Sequence, residues 1–348
     1  MKSISYRVHG DTDVLEVTES DVPEPGPGEV LVQVAACGLN HLDVLQRRGP
    51  ALIPGFELPH VAGMDVAGTV AAVGPDVDPA AHPVARTGAR VVVNPAVPCD
   101  ACPVCASGAD GMCPATEVVG GNVAGGYAEY VVVPAGNVHA VPDGVDLVEA
   151  AVVPTIWMTA WHALVEVGAV AAGETVLVHA GASGVSTAAI QLAKAAGARV
   201  ITTVSSAAKA SYAAELGADL VVDTSTTDLV GAARGFTDGR GVDVVIDHVG
   251  PAVWDASIYS LGHRGRLVFL GNTTGDRTSF DLVYAYHFGL KLLGSDPYDR
   301  REFGPMLERY WSSGFRTPVD SEFPLAEAAA AQRHMESRRA TGKIVLRP

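Results

Sequence analysis

The stretch Thr175–Ser206 constrains this chain more than any other. It reads Thr-Val-Leu-Val-His, then Ala-Gly-Ala-Ser-Gly-Val-Ser, then an alanine-rich run closed by Gly197, then Arg-Val-Ile-Thr-Thr-Val-Ser-Ser. Thr175–His179 is a β-branched run of the kind that forms a buried parallel strand. Val185, Ala189, Leu192, Ala193 and Ala196 recur at helical spacing, and Gly197 suits the end of that helix. Arg199–Val204 reads as a second strand. A strand, a loop of small residues, a helix and a strand form the basic unit of a doubly wound α/β sheet. The free N–H groups at such a helix start attract phosphate, so the unit reads as a seat for a dinucleotide pyrophosphate.

The loop departs from the G-x-G-x-x-G fingerprint. Gly181 matches its first glycine, Ser183 and Ser186 stand for the second and third, and Gly184 is extra. Gly181, Ala182, Ser183, Gly184 and Val185 are the candidate phosphate contacts; the competing reading is an ordinary strand-to-helix turn. In NAD-binding units an acid near the end of the second strand accepts hydrogen bonds from the ribose 2′-hydroxyl. Here that place holds Ser205 and Ser206, with Lys209 just beyond. Two hydroxyls and an ammonium favour a 2′-phosphate, hence NADPH over NADH. The alternative leaves Lys209 a solvated helix residue.

The chain has 348 residues, enough for two domains, and a formal net charge of -15, which argues against a nucleic-acid partner. No basic and apolar leader opens it, and Ala150–Val165, its most apolar long run, is short for a membrane span and carries Pro154 and His162. The expectation is a cytoplasmic protein with a small-molecule substrate. Of five cysteines, Cys99, Cys102, Cys105 and Cys113 follow C-x2-C-x2-C-x7-C. Four thiolates so closely spaced close a tetrahedral Zn2+ site, a structural one that braces a loop over about 94–118 and does no chemistry.

The first half alternates with Gly and Pro punctuation. Glu29–Val34, Val66–Val73 and Ala89–Val93 read as strands of a β-barrel-like domain. Beyond Ser206, a helix Ala207–Leu216 and strands Leu220–Val222, Val242–Asp247, Arg266–Leu270 and Lys291–Leu293 continue the parallel sheet. Ligands bind at the carboxyl ends of such strands, which makes His179, His248, Gly271 and Asn272 cofactor neighbours, or hydrogen-bonded pieces of loop. Ala150–Val165 reads as a linking helix, Ala326–Arg338 as a helix and Lys343–Leu346 as a last strand.

Several segments together carry a resemblance. They are Ala35-Ala36-Cys37-Gly38-Leu39-Asn40-His41-Leu42-Asp43, Pro59-His60-Val61-Ala62-Gly63-Met64-Asp65-Val66-Ala67-Gly68, Gly125-Gly126-Tyr127-Ala128-Glu129-Tyr130, the terminal Thr341-Gly342-Lys343, and the Thr175–Ser206 unit. The chain resembles the medium-chain dehydrogenase/reductase superfamily over essentially its whole length. That resemblance implies a chaperonin-10-like β-barrel domain (1–156 and 298–348), a Rossmann domain (157–297), an active site in the cleft between them and a homodimer through sheet edges. It adds Thr159 and Lys343 to the expected cofactor contacts, and the cysteine lobe matches that of the zinc-type members.

Where alcohol dehydrogenases of this family hold a catalytic zinc, the three ligand positions fall on Asn40, Met64 and Thr155. A carboxamide, a thioether and a hydroxyl are poor zinc ligands, so no catalytic zinc is expected. Asparagine at the first position resembles the zinc-free quinone oxidoreductases. A competing reading gathers Cys37, His41, His60 and Asp65 into an unorthodox metal site. Asn40 and His41 are the candidate catalytic residues, with Asp43 a catalytic or structural acid, and Met64, Thr155 and Trp157 line the substrate pocket. The expected activity is hydride delivery from NADPH to an enone C=C bond or a quinone, with a coupled reductive cyclisation as its extension. Its rivals are a zinc alcohol dehydrogenase with substituted ligands and a non-catalytic NADPH-binding protein.

Overall fold

The structure, a computed structural model, describes residues 1–348 apart from the side chain of Ala208. The chain divides into two compact units, Met1–Thr155 with Asp299–Pro348, and Ile156–Tyr298.

The first unit is built on an antiparallel core. Glu29–Gly38 is its central strand, paired on one side with Asp65–Val73 and on the other with Lys343–Arg347, with Tyr130–Pro134 also laid against it. The sheet continues outward through Arg90–Val93 to Val138–Ala140 and, at the other end, to Val319–Pro324. Alternate residues Val30, Val32 and Val34 enter one apolar core with Val66, Val70, Val91, Val93, Val131, Val133, Ile344 and Leu346, as period-two burial requires. The pairing of Val345 with Gly38 and Leu346 with Cys37 brings the C-terminal strand beside the end of Glu29–Gly38. Everything in the candidate site below depends on that register.

The second unit is a six-stranded parallel sheet. In space its strands run Leu220–Asp223, Arg199–Val204, Thr175–Val178, Val242–Asp247, Leu261–Phe269, Lys291–Gly294. Numbered along the chain this is 3-2-1-4-5-6, the dinucleotide-binding order, whose switch point lies between Thr175–Val178 and Val242–Asp247. The fold is α/β, with a mainly antiparallel β unit, whose edge strand Val319–Pro324 pairs parallel with Lys343–Arg347, and a Rossmann sheet.

Two elements differ from the sequence expectation. Ala150–Val165 is not one helix: a helix Leu147–Ala151 stops, a second starts at Pro154 and runs to Trp161, and His162–Val167 continues as a π-turn. Proline lacks the N–H a helix interior needs but fits a first turn, so Pro154 begins an element and cannot lie within one. The fifth strand begins at Leu261, five residues before Arg266, with Arg264 at φ 61 where its register against Val242–Asp247 shifts. Among the described residues, no helix is long and apolar enough to cross a membrane.

Candidate active site

The end of the central strand feeds a buried polar network. Asn40 precedes the helix His41–Arg48, and its backbone N–H donates to Asp43 Oδ2 at 2.9 Å. Tyr127 hydroxyl donates to the same oxygen at 3.1 Å. On its other side Asn40 Oδ1 accepts from Lys343 Nζ at 2.8 Å, and the same ammonium donates to Leu39 O at 2.6 Å and Asp65 Oδ2 at 2.9 Å. Asp65 is in turn held by Thr155, whose N–H and Oγ1 both donate to Oδ1 at 2.9 and 2.6 Å. Asn40, Asp43, Asp65 and Lys343 are all buried. Burial pushes the Asp43 carboxyl up to about 7, against the Asn40 N–H, the Lys343 charge and the Tyr127 hydroxyl, which pull it down.

So the structure brings together Asn40, Asp43, Thr155 and Lys343, four of the expected site residues, and adds Asp65 and Tyr127. His41 does not join them. It is exposed, and desolvation, then the cations Arg338 and Arg48, hold its imidazole below the ordinary value. Met64 and Trp157 are buried apolar side chains. Thr155 and Thr159 lie four apart on the half-buried face of the Pro154–Trp161 helix.

The four-cysteine lobe is compact. Sγ–Sγ distances are 3.5 Å for Cys102–Cys105 and Cys99–Cys113, 3.9 Å for Cys102–Cys113 and 4.0 Å for Cys99–Cys105. A regular tetrahedron with Zn–S of about 2.3 Å has edges of about 3.8 Å, so the donor set fits Zn2+ in both chemistry and size. Backbone N–H groups of Cys105 and Cys99 donate to the sulfurs of Cys102 and Cys113 and pull both thiols below the ordinary value, Cys113 to about 6. The lobe is clamped by the start of the helix Arg300–Ser312: Arg300 N–H donates to Asp110 Oδ1 at 2.8 Å, its guanidinium pairs with Asp100, and Gly111 N–H donates to Asp299 Oδ1 at 3.0 Å. Nothing in the local sequence signals that clamp.

Among the described residues this is the only group of three or more His, Cys, Asp or Glu side chains placed to share an ion. The reading that gathered Cys37, His41, His60 and Asp65 is therefore corrected. His60 Nε2 is engaged with Gly120 O at 3.1 Å, Asp65 is paired with Lys343, and His41 stands elsewhere.

In the parallel unit, the loop after Thr175–Val178 shows why its fingerprint is altered. A Cβ on Gly181 would lie 2.4 Å from Thr202 Oγ1, so glycine is required there. Ser183 caps the helix Gly184–Ala195, its Oγ accepting from Ser186 N–H at 3.2 Å. Ser186 Oγ donates to His179 O at 2.6 Å and lies 2.8 Å from His248 Nε2. The hydroxyl at the third position thus ties the loop to the end of the neighbouring strand Val242–Asp247, a bond glycine has no atoms to make. Ser183, Gly184 and Val185 stay half-exposed, and the first-turn N–H groups of Gly184 and Val185 have no intrahelical acceptor. His248 leads into a turn held by Asp247, which accepts from Val249 and Gly250 N–H at 2.8 and 2.9 Å. That turn packs on Gly271, where a Cβ would lie 2.6 Å from His248 O, and near Asn272. Ser205 is exposed and Ser206 and Lys209 half-buried beyond Val204. The sequence reading missed Asp223, which pairs in register with Val204; its carboxylate accepts from Ser225 N–H and Oγ at 3.0 and 2.7 Å.

Residues 26–143 match the family model of the alcohol dehydrogenase GroES-like domain, and residues 184–312 that of the zinc-binding dehydrogenase. A quinone oxidoreductase of Pseudomonas aeruginosa is 33% identical over 100% of this chain and 99% of its own. The chain belongs to the medium-chain dehydrogenase/reductase superfamily. The crystal structure of an NAD-dependent alcohol dehydrogenase superposes with a TM-score of 0.93 at 38% identity, and that of a mycobacterial protein complexed with NADPH with 0.83 at 33%, each over 100% of both chains. The phthioceranic/hydroxyphthioceranic acid synthase of Mycobacterium tuberculosis is 33% identical over 99% of this chain, which spans 15% of that protein.

A medium-chain dehydrogenase of the zinc type needs soft or imidazole donors around its reactive metal. The three positions here offer a carboxamide oxygen already accepting from an ammonium, a buried thioether, and a hydroxyl donating to Asp65. A cation placed among them would lie beside the Lys343 charge. The residues present do not fit a catalytic zinc.

Proposed function

We propose that this protein is an NADPH-dependent reductase that delivers hydride to the β-carbon of an enone, or to a quinone, without a catalytic metal. The observation that carries the reading is the Lys343–Asn40–Asp65 network in place of a metal-ligand set. NADPH, when bound, supplies the hydride. Gly184 and Val185 N–H groups would hold its pyrophosphate, and Ser205, Ser206 and Lys209 its 2′-phosphate; the mycobacterial structure with NADPH supports that choice. Gly181, Ala182, Ser183, His248, Gly271 and Asn272 shape the seat from the same carboxyl edge.

In the acceptor, the new C–H bond forms at the β-carbon, the C=C pair shifts toward the carbonyl, and charge collects on oxygen. Asn40 holds that oxygen by a hydrogen bond, and a proton from water completes the reduced product. An alcohol substrate would instead need its alkoxide stabilised, which a neutral carboxamide does less well than a metal. The same enolate, where a second electrophile lies in one substrate, closes a ring. Cys99, Cys102, Cys105 and Cys113 hold one structural Zn2+.

The partner is a second copy of the chain. Leu282, Val283 and Tyr286 are 69%, 52% and 67% exposed on the helix before Lys291–Gly294, the edge strand of the parallel sheet. Such an edge pairs with its own copy across a two-fold axis.

NADPH oxidation with a panel of quinones and cyclic enones tests the reading, run beside NADP+ reduction with primary and secondary alcohols. Turnover of quinones or enones is expected. Turnover of alcohols alone would sink it in favour of a dehydrogenase, and cofactor binding with no turnover in favour of a non-catalytic role.

A further inference from the structure

On the reductase reading above, we infer that Lys343 sets which way the Asn40 carboxamide faces. The group this leaves to meet the acceptor is Nδ2, an N–H donor aimed at the oxygen that gathers charge. Lys343 is thereby a positioning residue for the reaction.

An ammonium only donates. Lys343 Nζ has three hydrogens and three oxygen partners, Leu39 O, Asn40 Oδ1 and Asp65 Oδ2, at 2.6, 2.8 and 2.9 Å. A carboxamide beside it must turn its oxygen inward, because the flipped amide would set two N–H donors against a cation. The oxygen of Asn40 is therefore committed. Nδ2 is left buried with no partner in the protein, on a residue only 7% exposed. A buried donor without an acceptor is unfavourable, and the penalty is relieved when a ligand oxygen arrives.

Lys343 is itself fixed. Asp65 anchors it, and Thr155 N–H and Oγ1 anchor Asp65. The side chain is 4% exposed, and a Cβ on Gly38 would lie 3.3 Å from its Cε. Charge within the pair cancels, so the site presents the acceptor with a neutral donor whose partner oxygen is bound to a cation. That polarises the N–H bond and makes it a better donor as negative charge develops.

A double-mutant cycle on NADPH oxidation tests this, using one quinone and one cyclic enone with Asn40→Ala, Lys343→Met and the pair. Removing a donor to a developing oxyanion costs about 100-fold or more in kcat, and that loss is expected for Asn40→Ala with KM for the acceptor little changed. Lys343→Met should lose kcat to a similar extent, and the double variant should be no slower than the slower single. Multiplying losses would overturn the inference, since Lys343 would then act independently of Asn40. So would a Lys343→Met defect confined to KM for NADPH, which would make it a cofactor contact. Where Lys343→Met does not fold, Asp65→Asn/Lys343→Met removes both charges and replaces it in the cycle. Reduction of quinones by the parent with full kcat in Asn40→Ala would sink this inference and spare the reductase reading. A parent that reduces neither substrate would sink both.

Discussion

Lys343 Nζ lies 2.9 Å from Asp65 Oδ2, and the two side chains are 4% and 0% exposed. A buried pair of this kind is costly to break from one side, because the survivor is a desolvated charge. Lys343→Met and Asp65→Asn are each expected to cost about 3–5 kcal/mol of folding stability, measured by urea unfolding. The variant carrying both changes should recover much of that loss. Independent, additive losses would show that the two side chains are not one energetic unit.

The four-cysteine lobe makes a stoichiometric prediction. Elemental analysis of the purified protein should return one zinc per chain, because among the described residues only the Cys99, Cys102, Cys105 and Cys113 cluster is placed to hold an ion. Cys102→Ser and Cys113→Ser should both lose it and lower the melting temperature, whereas Cys37→Ser should retain it. Two zinc ions per chain would contradict the account of Asn40, Met64 and Thr155. Arg300→Ala keeps all four ligands but removes the salt bridge to Asp100, and should speed zinc loss to a chelator.

Asp43 predicts how stability changes with pH. Its carboxyl is raised from 3.8 to about 7, by burial first. The folded state therefore binds this proton more tightly than the unfolded chain does. The stabilisation is full below the ordinary carboxylate value and is lost as pH rises through about 7. Its ceiling is about 4 kcal/mol, at 1.36 kcal/mol per pKa unit. Unfolding free energies measured from pH 4 to pH 8 should fall for the parent and flatten in Asp43→Asn. Equal slopes in both would place the titration on another group.

The parallel unit was legible because its signals are local. Strand, loop and helix within Thr175–Ser206 follow one another in sequence, and each has its own period or turn residue. The Lys343–Asn40 network was not, because Lys343 and Asn40 are 303 residues apart. Their meeting depends on Lys343–Arg347 pairing beside Gly38, a tertiary register that no window of sequence contains. Asp65 was overlooked as Lys343's partner for the same reason. His41, next to Asn40 in the chain, looked equally placed, yet it begins a helix whose first side chain turns to solvent. The Ala150–Val165 segment shows the converse: its apolar run masked the break that Pro154 makes.

On the proposed reading, cofactor choice hangs on the end of Arg199–Val204, and here two charges oppose each other. Lys209 and the Ser205 and Ser206 hydroxyls favour a 2′-phosphate, whereas Asp223 sits in register beside Val204. Two features weaken that repulsion. The Asp223 carboxylate accepts from Ser225 N–H and Oγ, which draws its charge toward that loop, and it lies on the neighbouring strand, where solvent screens it. Ser206→Asp removes the balance by placing a carboxylate where a ribose 2′-hydroxyl would bond and a 2′-phosphate would be repelled. The ratio of kcat/KM for NADPH over NADH should fall by about 100-fold, equivalent to roughly 2.7 kcal/mol. Lys209→Ala should lower it by about tenfold, from the loss of one screened ion pair, with NADH kinetics nearly unchanged. A parent that prefers NADH, with no response to either change, would show that Asp223 and not Lys209 governs this end of the sheet.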